Sequence, residues 1–523
     1  MLLNSLALYG ALIGVGSAAP SMSSNTVRAS TGYYTGQISG EYPDVKEWLS
    51  IPYGQDTSGS GRFQPPKAVP LSSEHYDVTA YPPACPQYVS AIPTIWNQQI
   101  PQYLQYWGAE NNSAGVSAPF ASEDCLKLAV WTPANATEDS NLPVAMFWTG
   151  GGFQTNGILV PGQLPPRWVS RTQSHIVVTI NYRMNILGFP NAFGVEDQNL
   201  GLLDMRVALE WVRDNIRYFG GDPSKIMIWG QSAGASAVDY HHYAYWDDPI
   251  AHAFFAQSGN VLYGGGSADW DHTNFTFVAK NVGCDFPMNS TKELECMQQV
   301  DYNDIINFMG RYQVSLLKHQ PGIRFSAIPD EKIVFANYTE RYLTGKVAKA
   351  PMIYSSAANE GGSLAPYPVD NPLEGPNQTV ANGITERILC GAANSSIERD
   401  SIGLTTYRYQ YAGNWTNQDP LPWMGAFHSS DLVMLFGSYA VGQGPPKEEL
   451  EGETSRVMED YLLAFIKDPY NGPPSMGWVP FNTSAENQGT MLRFGADGKA
   501  VQNVSASDVE AVCSGSGPYN PFP

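Results

Sequence analysis

Basic residues are scarce in this sequence. Lysine and arginine make up 29 of the 523 residues, against 49 aspartates and glutamates, so the formal net charge is −20. Such a chain repels the phosphates of nucleic acids and the headgroups of anionic membranes. The composition therefore argues against a polyanion-binding role, and we expect no nucleic-acid partner.

Long apolar runs are also missing, with one exception at the N-terminus. Residues 6–15 are mostly apolar, and Ser17-Ala18-Ala19 then has the small-residue spacing of a signal-peptidase site. We interpret residues 1–19 as a signal peptide of a secreted, extracellular protein and residues 20–523 as one domain. No Lys or Arg precedes the apolar run, so a core helix is the alternative. No other segment could cross a bilayer, so no integral membrane segment is predicted.

Cysteines are few, six in all, and none has metal-ligand spacing, so no metal or cofactor is predicted. An even set is typical of oxidised extracellular proteins. Their spacing suggests three disulfides, the last by elimination: Cys85 with Cys125, Cys284 with Cys296, and Cys390 with Cys513. Sequons for N-glycosylation agree with that compartment. They begin at Asn111, Asn135, Asn274, Asn289, Asn337, Asn377, Asn394, Asn414, Asn482 and Asn503.

The first half of the chain alternates between strand and helix patterns. Three apolar runs have the length of buried strands: 144–148, 175–183 and 225–229. Residues 206–216 have apolar side chains at helical spacing. This alternation predicts parallel strands joined by right-handed crossovers, hence a doubly wound α/β sheet. Residues 350–356 offer one more strand, and residues 261–348 form a mostly helical and irregular insertion.

A candidate nucleophile follows the strand at 225–229. Gly230-Gln231-Ser232-Ala233-Gly234 matches the pattern Gly-x-Ser-x-Gly. A strand-to-helix turn this tight strains the backbone at the serine, requires tiny neighbours and exposes the hydroxyl above the sheet. The pattern alone is weak evidence, because roughly 0.4 copies are expected by accident in such a chain. The strand-turn-helix context favours a nucleophile over the alternative, a small-residue helix start packed on a strand.

A serine nucleophile needs a base, and the base needs an orienting acid. The chain order on this kind of turn is serine, acid, histidine. The histidines after Ser232 are His241, His242, His252, His272, His319 and His428. His428 is favoured, because its loop of small residues lets an imidazole point inward. Glu360 is the predicted acid, since it closely follows the strand at 350–356, and Asp431 is the alternative, although it comes after the histidine.

Together these segments resemble the type-B carboxylesterase/lipase family, which includes cholinesterases and fungal lipases and esterases. The matching motifs occur in order over most of the chain: EDCLKLAVWTP (123–133), TGGGF (149–153), NYRMNILGF (181–189), QNLGLLD through GQSAGA (198–235), FFAQSG (254–259), NEGGS (359–363) and GAFHSSD (425–431). The resemblance implies an α/β-hydrolase fold with a large, mostly parallel central sheet, insertions and a lid or gorge loop. It also implies hydrolysis of small-molecule carboxylic esters through an acyl-enzyme, without a cofactor.

The resemblance also assigns roles to particular positions. The family's catalytic residues fall on Ser232, Glu360 and His428. Its oxyanion hole falls on the backbone N–H groups of Gly151, Gly152 and Ala233. Its first disulfide matches Cys85 with Cys125, and its structural ion pairs match Arg62 with Glu123 and Arg183 with Asp204.

The chain departs from the common family pattern at three positions. Thr149 replaces a frequent His before the glycines, Met205 replaces Gln, and Lys127 replaces an aromatic residue. The first change is the nearest to the chemistry. Because the oxyanion donors are main-chain amides, we expect Thr149 to alter substrate fit more than the oxyanion hole itself.

The substrate class stays open at this level. The loop between Cys85 and Cys125 carries large apolar residues whose spacing would share one helical face, although Pro101 restarts the helix. These residues are Trp96, Ile100, Tyr103, Leu104 and Trp107. They suit either a mobile lid of a lipase or sterol esterase, or a fixed gorge wall. A peptidase and a non-catalytic cholinesterase-like binding module are further alternatives, and the complete set of catalytic residues argues against the latter.

Overall fold

A computed structural model describes most of the chain: residues 25–106, 113–263, 266–267, 269–315, 322–441, 444–445, 448–486 and 489–523. The predicted signal peptide at 1–19, Trp107, the sequon at Asn111 and His319 lie outside the described residues. No helix in the described ranges is long and apolar enough to span a membrane.

The described residues form the following strands and helices. The strands are β1 (Thr26–Ala29), β2 (Gly32–Thr35), β3 (Gln37–Ile38), β4 (Val45–Pro52), β5 (His75–Asp77), β6 (Lys127–Pro133), β7 (Leu142–Trp148), β8 (Ile176–Ile180), β9 (Gly221–Gln231), β10 (Ala253–Gln257), β11 (Met352–Ala357), β12 (Thr406–Tyr411), β13 (Thr490–Ala496) and β14 (Lys499–Ser505). The helices are α1 (Ile95–Gln98), α2 (Pro166–Thr172), α3 (Asn185–Gly188), α4 (Leu200–Asn215), α5 (Ala233–Ala244), α6 (Thr273–Asn281), α7 (Ser290–Gln299), α8 (Tyr302–Ser315), α9 (Tyr338–Leu343), α10 (Glu360–Leu364), α11 (Gln378–Ser401), α12 (Leu432–Leu435), α13 (Glu449–Lys467), α14 (Gly472–Ser475) and α15 (Ala506–Glu510).

A central 11-stranded sheet organises the fold, in the order β14-β13-β12-β11-β10-β9-β7-β8-β6-β4-β3. The strands from β8 to β13 in this order pair in parallel. The outer pairings, β13 with β14 at one edge and β8-β6-β4-β3 at the other, are antiparallel. A separate small sheet has the order β1-β2-β5. The predicted α/β fold with a large, mostly parallel central sheet is confirmed.

Both faces of the sheet are buried at its centre, which explains why β7, β8 and β10 are mostly apolar along their length. In β7, Val144, Met146 and Trp148 belong to one hydrophobic core, whereas Ala145 and Phe147 belong to a second core on the other face. Helices α4 and α5 contribute to the first core, and α13 contributes to the second. Because parallel strands are joined by crossovers that cover both faces, continuous apolar runs rather than alternating ones are expected.

The predicted elements are present, with shifted boundaries. The strands predicted at 144–148, 225–229 and 350–356 lie in β7, β9 and β11, and the insertion at 261–348 contains α6 to α9. The strand predicted at 175–183 ends earlier, at Ile180, and the helix predicted at 206–216 begins earlier, at Leu200. The Asn181 N–H still donates to the Lys127 carbonyl of β6 at 3.0 Å, but at Arg183 the backbone N–H donates to a side chain, Asp204 Oδ2, at 2.9 Å.

The two arginine–carboxylate pairs that the family resemblance implied are both buried. Arg183 Nη2 lies 2.7 Å from Asp204 Oδ1, and Arg62 Nη2 lies 2.6 Å from Glu123 Oε2. In each pair the arginine Nε also donates to the other carboxylate oxygen, so both contacts are bidentate. Separating either pair would leave a buried charge without its partner, which costs free energy. The contacts therefore hold the chain segments that carry these residues in one geometry.

The six cysteines form three disulfides. Cys85 bonds to Cys125, Cys284 to Cys296 and Cys390 to Cys513, over sequence separations of 40, 12 and 123 residues. The third bridge ties α11 to the C-terminal segment after α15. A disulfide restricts the unfolded chain more strongly when it closes a longer loop.

We expect removal of the Cys390–Cys513 bridge to destabilise the protein more than removal of the Cys284–Cys296 bridge. From loop length, the free energy of unfolding should fall by about 5 kcal/mol for the first and about 3 kcal/mol for the second. Paired Cys→Ala variants and denaturant titration under oxidising conditions measure this difference. Equal losses, or the reverse order, would show that local packing rather than chain entropy sets the contribution of each bridge.

Candidate active site

Ser232 alone joins β9 to α5, and its backbone is strained. Its φ of 56° and ψ of −119° lie in a region that side-chain-bearing residues seldom adopt. The flanking glycines are required for space. A Cβ on Gly230 would lie 2.2 Å from the Gly234 carbonyl oxygen, and a Cβ on Gly234 would lie 2.0 Å from the Trp148 carbonyl oxygen. The Gly-x-Ser-x-Gly pattern thus allows the helix to start against the sheet and leaves Ser232 lining a cavity.

Glu360 and His428 meet beside that turn. Glu360 begins α10, just after β11, and His428 lies in the loop between β12 and α12. His428 Nδ1 donates to Glu360 Oε2 at 2.5 Å, and both side chains are buried. The other carboxylate oxygen, Oε1, accepts from the Ala357 N–H at 2.7 Å. These two contacts orient the carboxylate toward the imidazole.

Asn359 connects the acid loop to the histidine loop. Its backbone N–H donates to the Ala426 carbonyl at 2.8 Å, and its side-chain amide donates to the carbonyls of Trp423 and Met424 at 3.0 and 2.8 Å. This role was not predicted from the sequence. The position of Asn359 directly before the predicted acid could have indicated it, because a buried amide side chain can hold two loops together by hydrogen bonds to their backbones.

Gln231 contacts the other nitrogen of the imidazole. With Nδ1 donating to Glu360, Nε2 of His428 is an acceptor, and Gln231 Nε2 lies 3.1 Å from it. Both Gln231 and His428 line the cavity together with Ser232. Gln231, the first variable position of the Gly-x-Ser-x-Gly pattern, therefore supplies a hydrogen-bond partner to the predicted base. The sequence alone did not indicate this contact.

The cavity at this turn has a volume of about 470 Å³. Gly151, Gly152 and Ala233, the predicted oxyanion donors, lie in its lining with Ser232. Gly151 has a φ of 114°, and a Cβ there would lie 2.3 Å from the Thr155 carbonyl oxygen, so only glycine fits. The glycine loop follows β7 and the serine turn follows β9. Because these strands are parallel neighbours, their carboxyl ends bring the two loops together.

Thr149 is buried behind the glycine loop. Its hydroxyl donates to Gln163 Oε1 at 2.9 Å, and its carbonyl accepts from the Tyr182 hydroxyl at 2.9 Å. Gln163 is itself part of the cavity lining. Thr149 thus reaches the cavity through Gln163.

The described part of the Cys85–Cys125 loop packs against the histidine loop. Helix α1 ends at Gln98, and a 3₁₀ turn begins at Pro101, so the single helical face expected from the spacing does not form. Ile100 and Tyr103 are buried, and Trp96 has its ring 6.4 Å from the His428 ring. Trp96 and Tyr103 form part of the cavity wall in this structure.

Asp431 does not contact the imidazole nitrogens. Its Oδ2 accepts from the Tyr409 hydroxyl at 3.0 Å in a buried site. Burial raises the pKa of Asp431 to about 6, the neighbouring Gln257 amide and Tyr409 hydroxyl oppose this shift, and the Glu360 charge adds to it.

The other described histidines after Ser232 bond to groups away from Glu360. Burial lowers the pKa of His241 to about 3, and burial also lowers those of His242 and His252. The ring nitrogens of these histidines and of His272 contact, in chain order, Pro249 O, Arg399 Nη1, Ile466 O and Asn191 Oδ1.

Comparisons with known proteins identify the family of the chain. A model of the carboxylesterase family matches residues 23–400 and 388–512. The chain is similar to the chlorogenic acid esterase of Aspergillus niger, with 40% identity over 93% of each chain, and to secreted lipase 5 of Gibberella zeae, with 35% identity over 93% of each. A solved PNB esterase structure has the same fold, with a TM-score of 0.73 and 20% identity, covering 94% of this chain and 99% of that one. The chain therefore belongs to the carboxylesterase family and is a carboxylic ester hydrolase.

Proposed function

We propose that Ser232, Glu360 and His428 act as a catalytic triad that hydrolyses esters through an acyl-enzyme. The observation that carries this proposal is the 2.5 Å contact of His428 Nδ1 with Glu360, in a cavity that His428 shares with Ser232. With Nδ1 protonated and held, only Nε2 is able to accept a proton. The imidazole therefore presents its basic nitrogen on the side away from the carboxylate.

The proposed reaction has two matching halves. Ser232 Oγ attacks the ester carbonyl while His428 Nε2 takes its proton, and Glu360 stabilises the imidazolium. The amide of Gln231 must release Nε2 for this transfer, since both compete for the same lone pair. The alcohol then leaves with the proton from His428. Water attacks the acyl-enzyme by the same route, which regenerates Ser232 and releases the acid.

The carbonyl oxygen becomes negatively charged during the attack. In this proposal, the backbone N–H groups of Gly151, Gly152 and Ala233 donate hydrogen bonds to that oxygen. These residues line the cavity beside Ser232. Main-chain donors held by a folded loop need no reorganisation when the charge appears. Each such donor typically lowers the barrier by about 3 kcal/mol.

For the substrate, we propose a compact ester with an aromatic or otherwise flat group. The cavity walls carry aromatic rings interleaved with amide and hydroxyl groups, and a volume of about 470 Å³ suits a small molecule. The aromatic lining residues are Trp96, Tyr103, Tyr106, Phe153, Tyr240 and Tyr263. The relative named as a chlorogenic acid esterase supports this choice.

A lipase or sterol esterase acting on long-chain esters is the second candidate. The similarity to a protein named as a secreted lipase favours it. The polar groups among the cavity walls argue against it, since an alkyl chain would leave them without partners. A non-catalytic binding module would not need an oriented imidazole in the same cavity as the serine.

We also propose that the enzyme is secreted as a single catalytic domain, residues 20–523, after removal of residues 1–19. The three disulfides and the relative named as a secreted lipase support this. Glycans on the predicted sequons are part of the same proposal. At Asn289, Asn337 and Asn377, the side-chain oxygen caps a helix, and this leaves the amide nitrogen for a sugar.

Ser232→Ala should abolish turnover without unfolding the protein. We expect kcat on an aryl ester to fall by about 10⁶-fold, because the acyl-enzyme cannot form. Melting temperature and hydrolysis rate give the two measurements, and mass spectrometry after treatment with an active-site phosphonate locates the label. Ser90→Ala, which changes another serine of the cavity lining, is the matched control and should still be labelled. Labelling of Ser232→Ala at another residue would contradict the assignment.

The acid limb of the pH–rate profile should depend on Asp431. Activity falls as His428 becomes protonated, and an ionised carboxylate nearby favours the protonated imidazole. Asp431→Asn removes the charge that Asp431 carries above its folded pKa of about 6, so we expect the part of the kcat/KM limb above that pH to move to lower pH by roughly 0.5 to 1 unit. Stopped assays from acid to neutral pH on one aryl ester measure the shift. An unmoved limb, or a shift to higher pH, would contradict this electrostatic role.

The same substitution should change how stability depends on pH. The folded pKa of Asp431, about 6, is above the ordinary value of 3.8, so folding binds a proton between these values. The stabilising effect of the protonated form is complete below the ordinary pKa and is lost as pH rises through the folded pKa. The wild type should lose up to about 3 kcal/mol of unfolding free energy over this window relative to Asp431→Asn.

Thr149→Val should change substrate preference more than it changes the rate on a minimal ester. The variant keeps the side-chain shape but removes the hydroxyl that donates to Gln163. The side-chain oxygen Oε1 of Gln163 then loses this hydrogen-bond donor. We expect several-fold changes in relative kcat/KM among esters that fill the cavity, with small changes on an aryl acetate. Thr149→Ser keeps the hydroxyl and is the control. Equal loss on every ester would mean that Thr149 shapes the oxyanion hole.

A further inference from the structure

The cavity lining includes two amide side chains whose oxygens already have partners in the protein. They are Asn156, which follows the glycine loop, and Gln163, which ends a 3₁₀ turn (Pro161–Gln163). Both residues are more than nine-tenths buried. An amide side chain has an acceptor end and a donor end. When the protein holds the oxygen, the nitrogen is the group that can reach a ligand.

Asn156 is held in place by the Cys85–Cys125 loop. Its backbone N–H donates to Gln87 Oε1 at 2.8 Å, and its backbone carbonyl accepts from Gln87 Nε2 at 3.2 Å. Its side-chain Oδ1 accepts from the Gln105 N–H at 3.2 Å. Because a backbone N–H can only donate, the contact with Gln105 sets which end of the Asn156 amide is the oxygen. The opposite end is the donor, Nδ2.

Gln163 is oriented from behind by Thr149. Its Oε1 accepts from the Thr149 hydroxyl at 2.9 Å. The turn that carries Gln163 is also attached to the segment after α12, since the Ser438 hydroxyl donates to the Gly162 carbonyl at 2.6 Å. The remaining hydrogen-bonding group of the Gln163 side chain is Nε2.

Neither amide nitrogen has an acceptor in the described part of the chain. No described residue accepts from Asn156 Nδ2 or Gln163 Nε2, and both nitrogens keep some accessible surface. Both side chains line the cavity, so this surface faces it. A ligand that covers such a nitrogen without offering an acceptor binds on the order of 10-fold more weakly than one that bonds to it.

We propose that Asn156 Nδ2 and Gln163 Nε2 donate hydrogen bonds to oxygen atoms that the substrate carries outside its scissile ester. The inference rests on the proposed function and narrows its substrate class to oxygen-substituted esters, whose acyl or alcohol group carries hydroxyl or ether oxygens. A hydrocarbon chain in the same place would cover both nitrogens without offering an acceptor. The donors are neutral, so they select an oxygen by its position rather than by charge.

Esters of matched size test the proposal. On the acyl side, ethyl 3-phenylpropanoates carry a para hydroxyl, methyl, methoxy or ethyl group, and on the alcohol side 2-phenylethyl butanoates carry the same groups. Methylene carbons separate the ring from the ester, so the substituents change its intrinsic reactivity little. For the wild type, kcat/KM should favour hydroxyl over methyl and methoxy over ethyl in at least one series, because both oxygens can accept.

Gln163→Met should weaken this preference. The variant keeps the length of the side chain and removes its amide. We expect the ratio of kcat/KM for methoxy over ethyl to fall by roughly 2- to 10-fold, as for the loss of one neutral hydrogen bond. The ratio is the decisive measurement, because a purely structural role would lower both members equally.

Asn156→Asp should separate the methoxy ester from the hydroxyl ester. It keeps an acceptor for the Gln105 N–H and replaces the donor with an oxygen. At pH 8, where we expect an ionised carboxylate, methoxy should lose on the order of 10-fold relative to ethyl, whereas hydroxyl should lose less because it can donate. Asn141→Asp is the matched control. Asn141 is exposed, has a positive φ as Asn156 does, and precedes β7 at the strand end opposite to the glycine loop, so all ratios should stay unaffected.

Three results would overturn the proposal. Equal kcat/KM for the oxygen and alkyl members of both series in the wild type would show that no donor reaches the substituent. A preference for hydroxyl without one for methoxy would mean that the wall accepts hydrogen bonds instead of donating them. Unchanged ratios in Gln163→Met and Asn156→Asp would place the preference elsewhere in the cavity. Failure of the triad itself is distinguishable, because the wild type would then hydrolyse no member of either series.

Discussion

The strained turn at Ser232 is the constraint on which the rest of the site depends. A helix can begin directly against the sheet only because Gly230 and Gly234 leave room for each other and for the Trp148 carbonyl. This close approach fixes the serine backbone at a positive φ, and the Ser232 N–H is held by the Gln257 carbonyl of β10 at 2.9 Å. The strain is maintained by the surrounding sheet and keeps the hydroxyl in the cavity without any rearrangement on substrate binding.

The site then follows from the parallel sheet. The glycine loop, the serine turn, the acid and the histidine follow β7, β9, β11 and β12, and parallel strands end at one edge. Strand order alone would leave the acid and histidine loops free to move apart. Asn359 prevents this by bonding to the backbone of the histidine loop, and the imidazole is thereby held between Glu360 and Gln231. The contacts of Asn359 and Gln231 use amide and main-chain groups, so they add no charge near the reacting atoms.

Charge around the site is distributed unevenly. Glu360 and Asp431 are close to His428 but do not line the cavity. In the proposed reaction, their negative charge would favour the imidazolium form of His428. Among the described residues of the cavity lining, none is an aspartate or glutamate. The carboxylates therefore act on the imidazole without facing the substrate.

The spacing of apolar residues in the sequence determined the α/β class and the approximate positions of strands and helices. Small-residue turns and the order of residues along the chain determined the candidates Ser232, Glu360 and His428. The sequence left the strand ends, the form of the Cys85–Cys125 loop and the contacts of Asn359 and Gln231 undecided. Only the tertiary structure decided these. Each depends on a contact between segments far apart in the chain, such as Gln231 with His428, 197 residues away, and no local pattern encodes such a distance.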